Sequence, residues 1–215
     1  MTPTALAALC NTLLSADEFN DYCPNGLQVE GTRPIKKIIT GVTACQALIN
    51  EAIKHDADTL LVHHGYFWKG ESAPLVGIKG ARIRTLLQHD MSLLAYHLPL
   101  DAHPTLGNNA TLANLLNLTI SGALFPNEKY PVGNVATCEP ISANDLLIRI
   151  ETALKRPPLY IQGRPNNQPI QTIGLCTGGA QDMIEQAYIM GCDAFISGEI
   201  SERTTHMARE LGIDY

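Results

Sequence analysis

The stretch "ADTLLVHHGYFWKG", Ala57 to Gly70, decides the fold class. Its first half is short and apolar at successive positions, as in a strand buried on both faces of a parallel sheet covered by helices. Before it comes "ACQALINEAIKH", where Leu48, Ile49, Ala52 and Ile53 share one helical face. Before that comes the strand "KKIITGVT", with Thr43 placed to cap the helix. Strand, helix and strand in this order predict an α/β fold. The second strand ends on two adjacent histidines. Successive side chains on a strand leave on opposite faces, so His63 and His64 are predicted to point apart. Gly65 then allows the backbone to turn sharply.

Outward from this unit the pattern continues on both sides. Thr2 and Pro3 mark the start of an N-terminal helix, with Leu6, Leu9 and Leu13 at helical spacing. "DYCPNGLQVEG" is rich in turn signals. Downstream, "ARIRTLLQHD" predicts a helix, "MSLLAYHLPLD" a third strand stopped by Pro99, and "GNNATLANLL" another helix. From Leu118 to Tyr160 the periodicity weakens, apart from the helix "ISANDLLIRIETALKRP", capped by Ser142 and ended by Pro157 and Pro158. Strand, helix and strand return in "IQTIGLCTGGAQDMIEQAYIMGCDAFISGEI", followed by a last helix from Ser201.

Laid over one another, Thr43–His64 and Gly178–Glu199 match at Gln46/Gln181, Ile49/Ile184, Ala52/Ala187 and Asp58/Asp193. A duplication would give two similar α/β lobes, expected over residues 1–120 and 121–215. His63 and His64 then coincide with Gly198 and Glu199. Both pairs fall at strand ends, where ligands gather in open α/β sheets.

Composition narrows the classes. Of 215 residues, 45% are hydrophobic and 17% charged, an ordinary globular balance. A net charge of -6 argues against a nucleic-acid surface. No apolar run approaches the roughly 18 residues that cross a bilayer. The N-terminus lacks the basic start and continuous apolar stretch of a signal peptide. The six cysteines form no C-x-x-C pair and fit a reducing compartment. The expectation is a cytoplasmic protein bound to neither nucleic acid nor membrane.

The chemistry-bearing residues cluster at strand ends. "YHLPLDAHP" supplies His97, Asp101 and His103 beside the pair His63 and His64. Imidazole nitrogens with a carboxylate suit zinc, manganese or iron. The competing reading is a histidine–aspartate acid–base pair without metal. Nucleophilic catalysis lacks a G-x-S-x-G elbow or a cysteine in a catalytic context. Glu199 is a candidate general base, or else a helix cap or a partner of Arg203. Tyr66, Phe67 and Trp68 either wall the site or pack, and Lys69 would meet a phosphate. The turn Thr177-Gly178-Gly179 either cradles phosphate or only bends the chain.

"YCPNGLQVEG", "GVTACQALINEAI", "LLVHHGYFWKG", "YHLPLDAHPTLGNNA" and "FISGEISERTTHMARELGIDY" together resemble the type 2 GTP cyclohydrolase I homologue family, also known as the NGG-interacting-factor-three-like family. The resemblance runs in order along nearly the whole chain and is loosest from about Ser121 to Gln168. It implies two α/β lobes with mixed or parallel sheets around a cleft for two divalent ions, and a ring-shaped homohexamer. His63 and His64 would each ligate a different metal, Asp101 would be another ligand, and His97 would line the cleft and move protons. It also implies a histidine and a glutamate beyond the final helix that complete the centre. This sequence stops at Tyr215, so a fragment with an incomplete centre is expected. The implied activity is metal-dependent hydrolysis of a nucleotide-like substrate, with His97 and Glu199 shuttling protons. The alternative is a metal-binding interaction scaffold without turnover.

Overall fold

The structure, a computed structural model, describes residues 1–215. The chain divides into two units, Met1–Leu100 and Asp101–Tyr215. Each holds one four-stranded mixed sheet covered by helices.

The first unit opens with α1 (Pro3–Leu14), where Thr2 accepts the Ala5 N–H as expected of an N-cap. The elements β1 (Gly26–Val29), β2 (Ile38–Thr43), α2 (Gln46–Lys54), β3 (Thr59–His64), α3 (Gly77–Gln88) and β4 (Ser92–Ala95) follow. The strand order is β1-β4-β3-β2, with β2, β3 and β4 parallel and β1 antiparallel at one edge. Alternation on the strands separates two cores. Leu60 and Leu93 pack with Ile49, Leu86 and Met91 on the α2/α3 face. Leu94 and Tyr96 pack with Leu6 and Leu14 under α1. Each such side chain fully removed from water contributes about 1.5–3 kcal/mol. The double cover explains the unbroken apolar run of β3.

Three local expectations change. Leu9 and Leu13 are 58% and 54% exposed, so α1 is anchored through Leu6 and Leu14 instead. Thr43 is the last residue of β2, and Cys45 occupies the N-cap of α2. The helix of "ISANDLLIRIETALKRP" is capped by Ser142 as predicted, but it ends at Lys155, which takes a left-handed conformation before the prolines.

One helical turn, α4 (Leu98–Asp101), leads into the second unit. Its elements are α5 (Asn108–Leu115), β5 (Thr119–Ala123), β6 (Asn134–Ile141), α6 (Ala143–Leu154), β7 (Ile170–Cys176), α7 (Ile184–Ile189), β8 (Ala194–Ser197) and α8 (Glu202–Leu211). The order is β5-β6-β7-β8, parallel only between β7 and β8. The division falls at Leu100/Asp101 and not near residue 120. The reason is packing: Ala113, Leu116 and Leu118 share a core with Ile173 and Leu175 of the second sheet.

The repeat read from the sequence has a structural counterpart. Asp58 accepts the N–H groups of Lys36 and Lys37 at 2.8 and 2.9 Å. Asp193 accepts those of Gln171 and Thr172 at the same two distances. Arg33 pairs with Asp58 at 2.6 Å and Arg164 with Asp193 at 2.9 Å. In each unit a carboxylate just ahead of the second parallel strand ties down backbone at the start of the first, immediately before β2 in one unit and within the first residues of β7 in the other. No helix is long and apolar enough to cross a membrane.

Candidate metal centre

In the first unit the parallel ladder places Thr43 opposite His64 and Val62 opposite Ala95. The C-terminal ends of β2, β3 and β4 therefore stand side by side, and β4 runs directly into Tyr96 and His97. His63 and His64 do not point apart. Their ring centroids are 4.5 Å from one another, with planes tilted by 38°. Strand alternation fixes the Cα–Cβ directions, but at the last two residues of a strand the rings can swing over its tip. His97 completes the group, its ring 5.0 Å from that of His63 and 5.6 Å from that of His64. One ligand nitrogen from each of the three lies within 4.8 Å of the others.

The hydrogen bonds set ring orientation. His63 Nδ1 is 2.9 Å from the Tyr96 carbonyl oxygen, which can only accept, so Nδ1 carries the proton and Nε2 the lone pair. His64 Nδ1 faces the Thr43 hydroxyl at 3.5 Å. His97 Nδ1 lies 2.7 Å from Asp21 Oδ1.

Asp21 was not singled out in the sequence. Its side chain is only 2% exposed, and its two oxygens also accept from the N–H groups of Tyr22 (2.6 Å) and Leu98 (2.8 Å) and from Asn25 Nδ2 (2.9 Å). Burial by itself pushes this carboxyl up. The hydrogen bonds from His97, Asn25 and the two backbone groups outweigh it, and the net shift is downward. Asn25 also fixes the backbone of His97, whose N–H donates to Asn25 Oδ1 at 2.8 Å. The turn-rich "DYCPNG" segment is thus a clamp on His97. Cys23 stands near enough to Asp21 and His97 for a second ligand set. Burial, reinforced by the charge of Asp21, pushes its thiol up to about 12.

The loop after the histidines is held closely. A Cβ on Gly65 would lie 2.1 Å from Gln28 Oε1 and 2.7 Å from the Ala95 side chain, so the glycine is a packing requirement. Tyr66 is a core residue with its hydroxyl bonded to the Ala44 carbonyl at 2.6 Å. Trp68 lines the histidine group, edge-on to His97 at 5.0 Å and to His64 at 5.8 Å. Phe67 takes a left-handed conformation at φ 65°, uncommon for an aromatic residue.

Asp101, His103, Glu199 and the Thr177-Gly178-Gly179 turn, also named from the sequence, belong to the second unit. Asp101 is buried, and Asn108 Nδ2 donates to its Oδ1 at 2.8 Å. His103 accepts the Leu106 N–H at 3.0 Å and so caps its own turn. Glu199 is exposed just past β8, with its carboxylate beside Gly179 and its carbonyl accepting from the Tyr215 hydroxyl. The Thr177-Gly178-Gly179 turn leads into a 3-10 turn at Gln181–Met183, and the Thr177 N–H is taken by Asn109 at 2.7 Å. The expected helix N-terminus for phosphate is not built there.

Three imidazoles at ligand spacing, two of them oriented through Nδ1 by a carbonyl or a carboxylate, are a donor set suited to a divalent ion of the zinc, manganese or iron type. The family Duf34/NIF3 (NGG1p interacting factor 3) matches residues 1–215. A Vibrio cholerae protein called GTP cyclohydrolase 1 type 2 homolog is 53% identical over 217 residues, spanning 100% of this chain and 85% of its own length. Among solved structures, protein ybgI, titled as of unknown function, superposes with a TM-score of 0.93 at 47% identity over 100% of this chain and 85% of that one. TTHA1606 from Thermus thermophilus does so with a TM-score of 0.88 at 30% identity, covering 100% and 84%. Matched from end to end by the family and by relatives at half identity, the chain belongs to the Duf34/NIF3 family.

Proposed function

We propose that this protein is a divalent-metal-dependent hydrolase acting on a nucleotide-like substrate. The observation that carries the reading is the convergence of His63, His64 and His97 at one end of the first sheet. His63 and His64 are assigned as ligands. Asp101, a buried carboxylate four positions beyond His97 in the chain, is assigned as a further ligand on the strength of the family resemblance. A bound ion of this class supplies Lewis acidity and makes water easier to deprotonate.

The chain's own residues supply the rest. Asp21 and Asn25 hold His97 as the group that moves a proton at the site. Trp68 offers an aromatic edge at the histidine group, and Lys69, the next residue in the chain, is the candidate cation for a substrate phosphate. Glu199 is the second proton-transfer candidate. The relatives' name, GTP cyclohydrolase 1 type 2 homolog, points to a guanine nucleotide as the first substrate to try. Two ions per complete subunit, a homohexameric ring and a cytoplasmic location complete the reading; six free thiols fit a reducing compartment.

The test is turnover of GTP and a panel of nucleotides by the purified protein with zinc, manganese or iron(II), reading formate and phosphate release. The reading expects activity that a His63→Ala/His64→Ala variant lacks. Metal retained without turnover of any nucleotide would replace the hydrolase with a metal-holding scaffold.

A further inference from the structure

Asp21 and His97 are 76 positions apart in the chain and meet at 2.7 Å. The carboxylate has every reason to stay where it is. It is enclosed, it accepts from two backbone N–H groups and an amide, and one of those N–H groups, that of Leu98, is next to His97 itself. The backbone of His97 is clamped independently by Asn25. Both ends of the imidazole's attachment are thus fixed by one short turn, Asp21–Asn25. An ionised carboxylate can only accept, so the ring nitrogen facing it must carry the proton.

We infer that Asp21 is the positioning residue that fixes His97 with its proton on Nδ1, leaving Nε2 to serve the three-histidine group. The inference deepens the metal-centre reading and rests on it for its purpose, though not for its geometry. His63 is fixed in the same sense by the Tyr96 carbonyl, so two of the three rings have Nδ1 committed by the protein.

The experiment is a long-range proton–nitrogen correlation spectrum of 15N-histidine-labelled, metal-free protein at about pH 8, where an ordinary imidazole is neutral. His97→Gln identifies the His97 signals. The expected wild-type pattern is a protonated Nδ1 and an unprotonated Nε2. In Asp21→Asn the side-chain amide can present its N–H to the ring, and the proton is expected to move to Nε2 in part or whole. Zinc binding by the wild-type protein is measured alongside, by competition with a chromogenic chelator.

A wild-type His97 protonated at Nε2 would overturn the inference, and so would an unchanged pattern in a folded Asp21→Asn. The wild-type spectrum decides the matter even where the variant does not fold. If the protein bound no metal yet gave the predicted spectra, the metal-centre reading would fail while the Asp21 assignment stood. If it bound metal with His97 protonated at Nε2, the reverse would hold.

Discussion

Gly65 shows how a single residue shapes the site. Any side chain there would meet Gln28 Oε1 and Ala95, and Gln28 Oε1 also accepts the Tyr66 N–H at 2.7 Å. Gly65→Ala is expected to destabilise the protein by about 1–3 kcal/mol through overpacking. For a chain of this size that lowers Tm by roughly 2–4 °C per kcal/mol. A calorimetric melt within a degree of wild type would contradict the packing argument. The two histidines were legible as site residues because they end an apolar strand beside a glycine. Their direction was not legible, since alternation predicts where Cβ leaves the backbone and not where a ring settles over a strand tip. Asp21 was hidden for a different reason. Its partners His97 and Leu98 lie far along the chain, and a local pattern rich in Pro, Asn and Gly reads only as a turn.

At the scale of elements, the strand–helix–strand units were legible and the antiparallel strands were not. The parallel strands β3 and β4 are covered on both faces and so appear as apolar runs. Strand β5 is exposed along most of its length, and β6 mixes buried and exposed positions, so neither carries a clear period. The repeated carboxylate anchor offers a test. Asp58→Ala removes the acceptor of two backbone N–H groups and the partner of Arg33, and is expected to cost about 1–3 kcal/mol in urea unfolding. Burial pushes the Asp58 carboxyl up, but the Lys36 and Lys37 N–H groups and the nearby positive charge of Arg33 bring it below its ordinary value. A folded value below the unfolded one means stability present above about pH 4 and lost as the pH falls through the folded value. The acid limb of the stability profile should therefore be shallower in Asp58→Ala than in wild type. Parallel acid limbs would show that Asp58 does not carry this linkage.

For the whole molecule, the sequence resemblance and the fold comparisons agree on the family, and the chain spans about 85% of the length of the relatives it matches. The two-lobed α/β reading holds, with its boundary moved to the residues where α5 joins the second core. Analytical ultracentrifugation is expected to find a six-chain particle, and a monomer at all concentrations would remove the ring from the account. The most direct measurement is the metal content of the protein after equilibrium dialysis against zinc, manganese or iron(II), wild type beside His63→Ala/His64→Ala. The account predicts a tightly held divalent ion in the wild type and its loss in the double variant, with the metal-free melting temperatures alike. Equal metal in both proteins, or none in either, would contradict it.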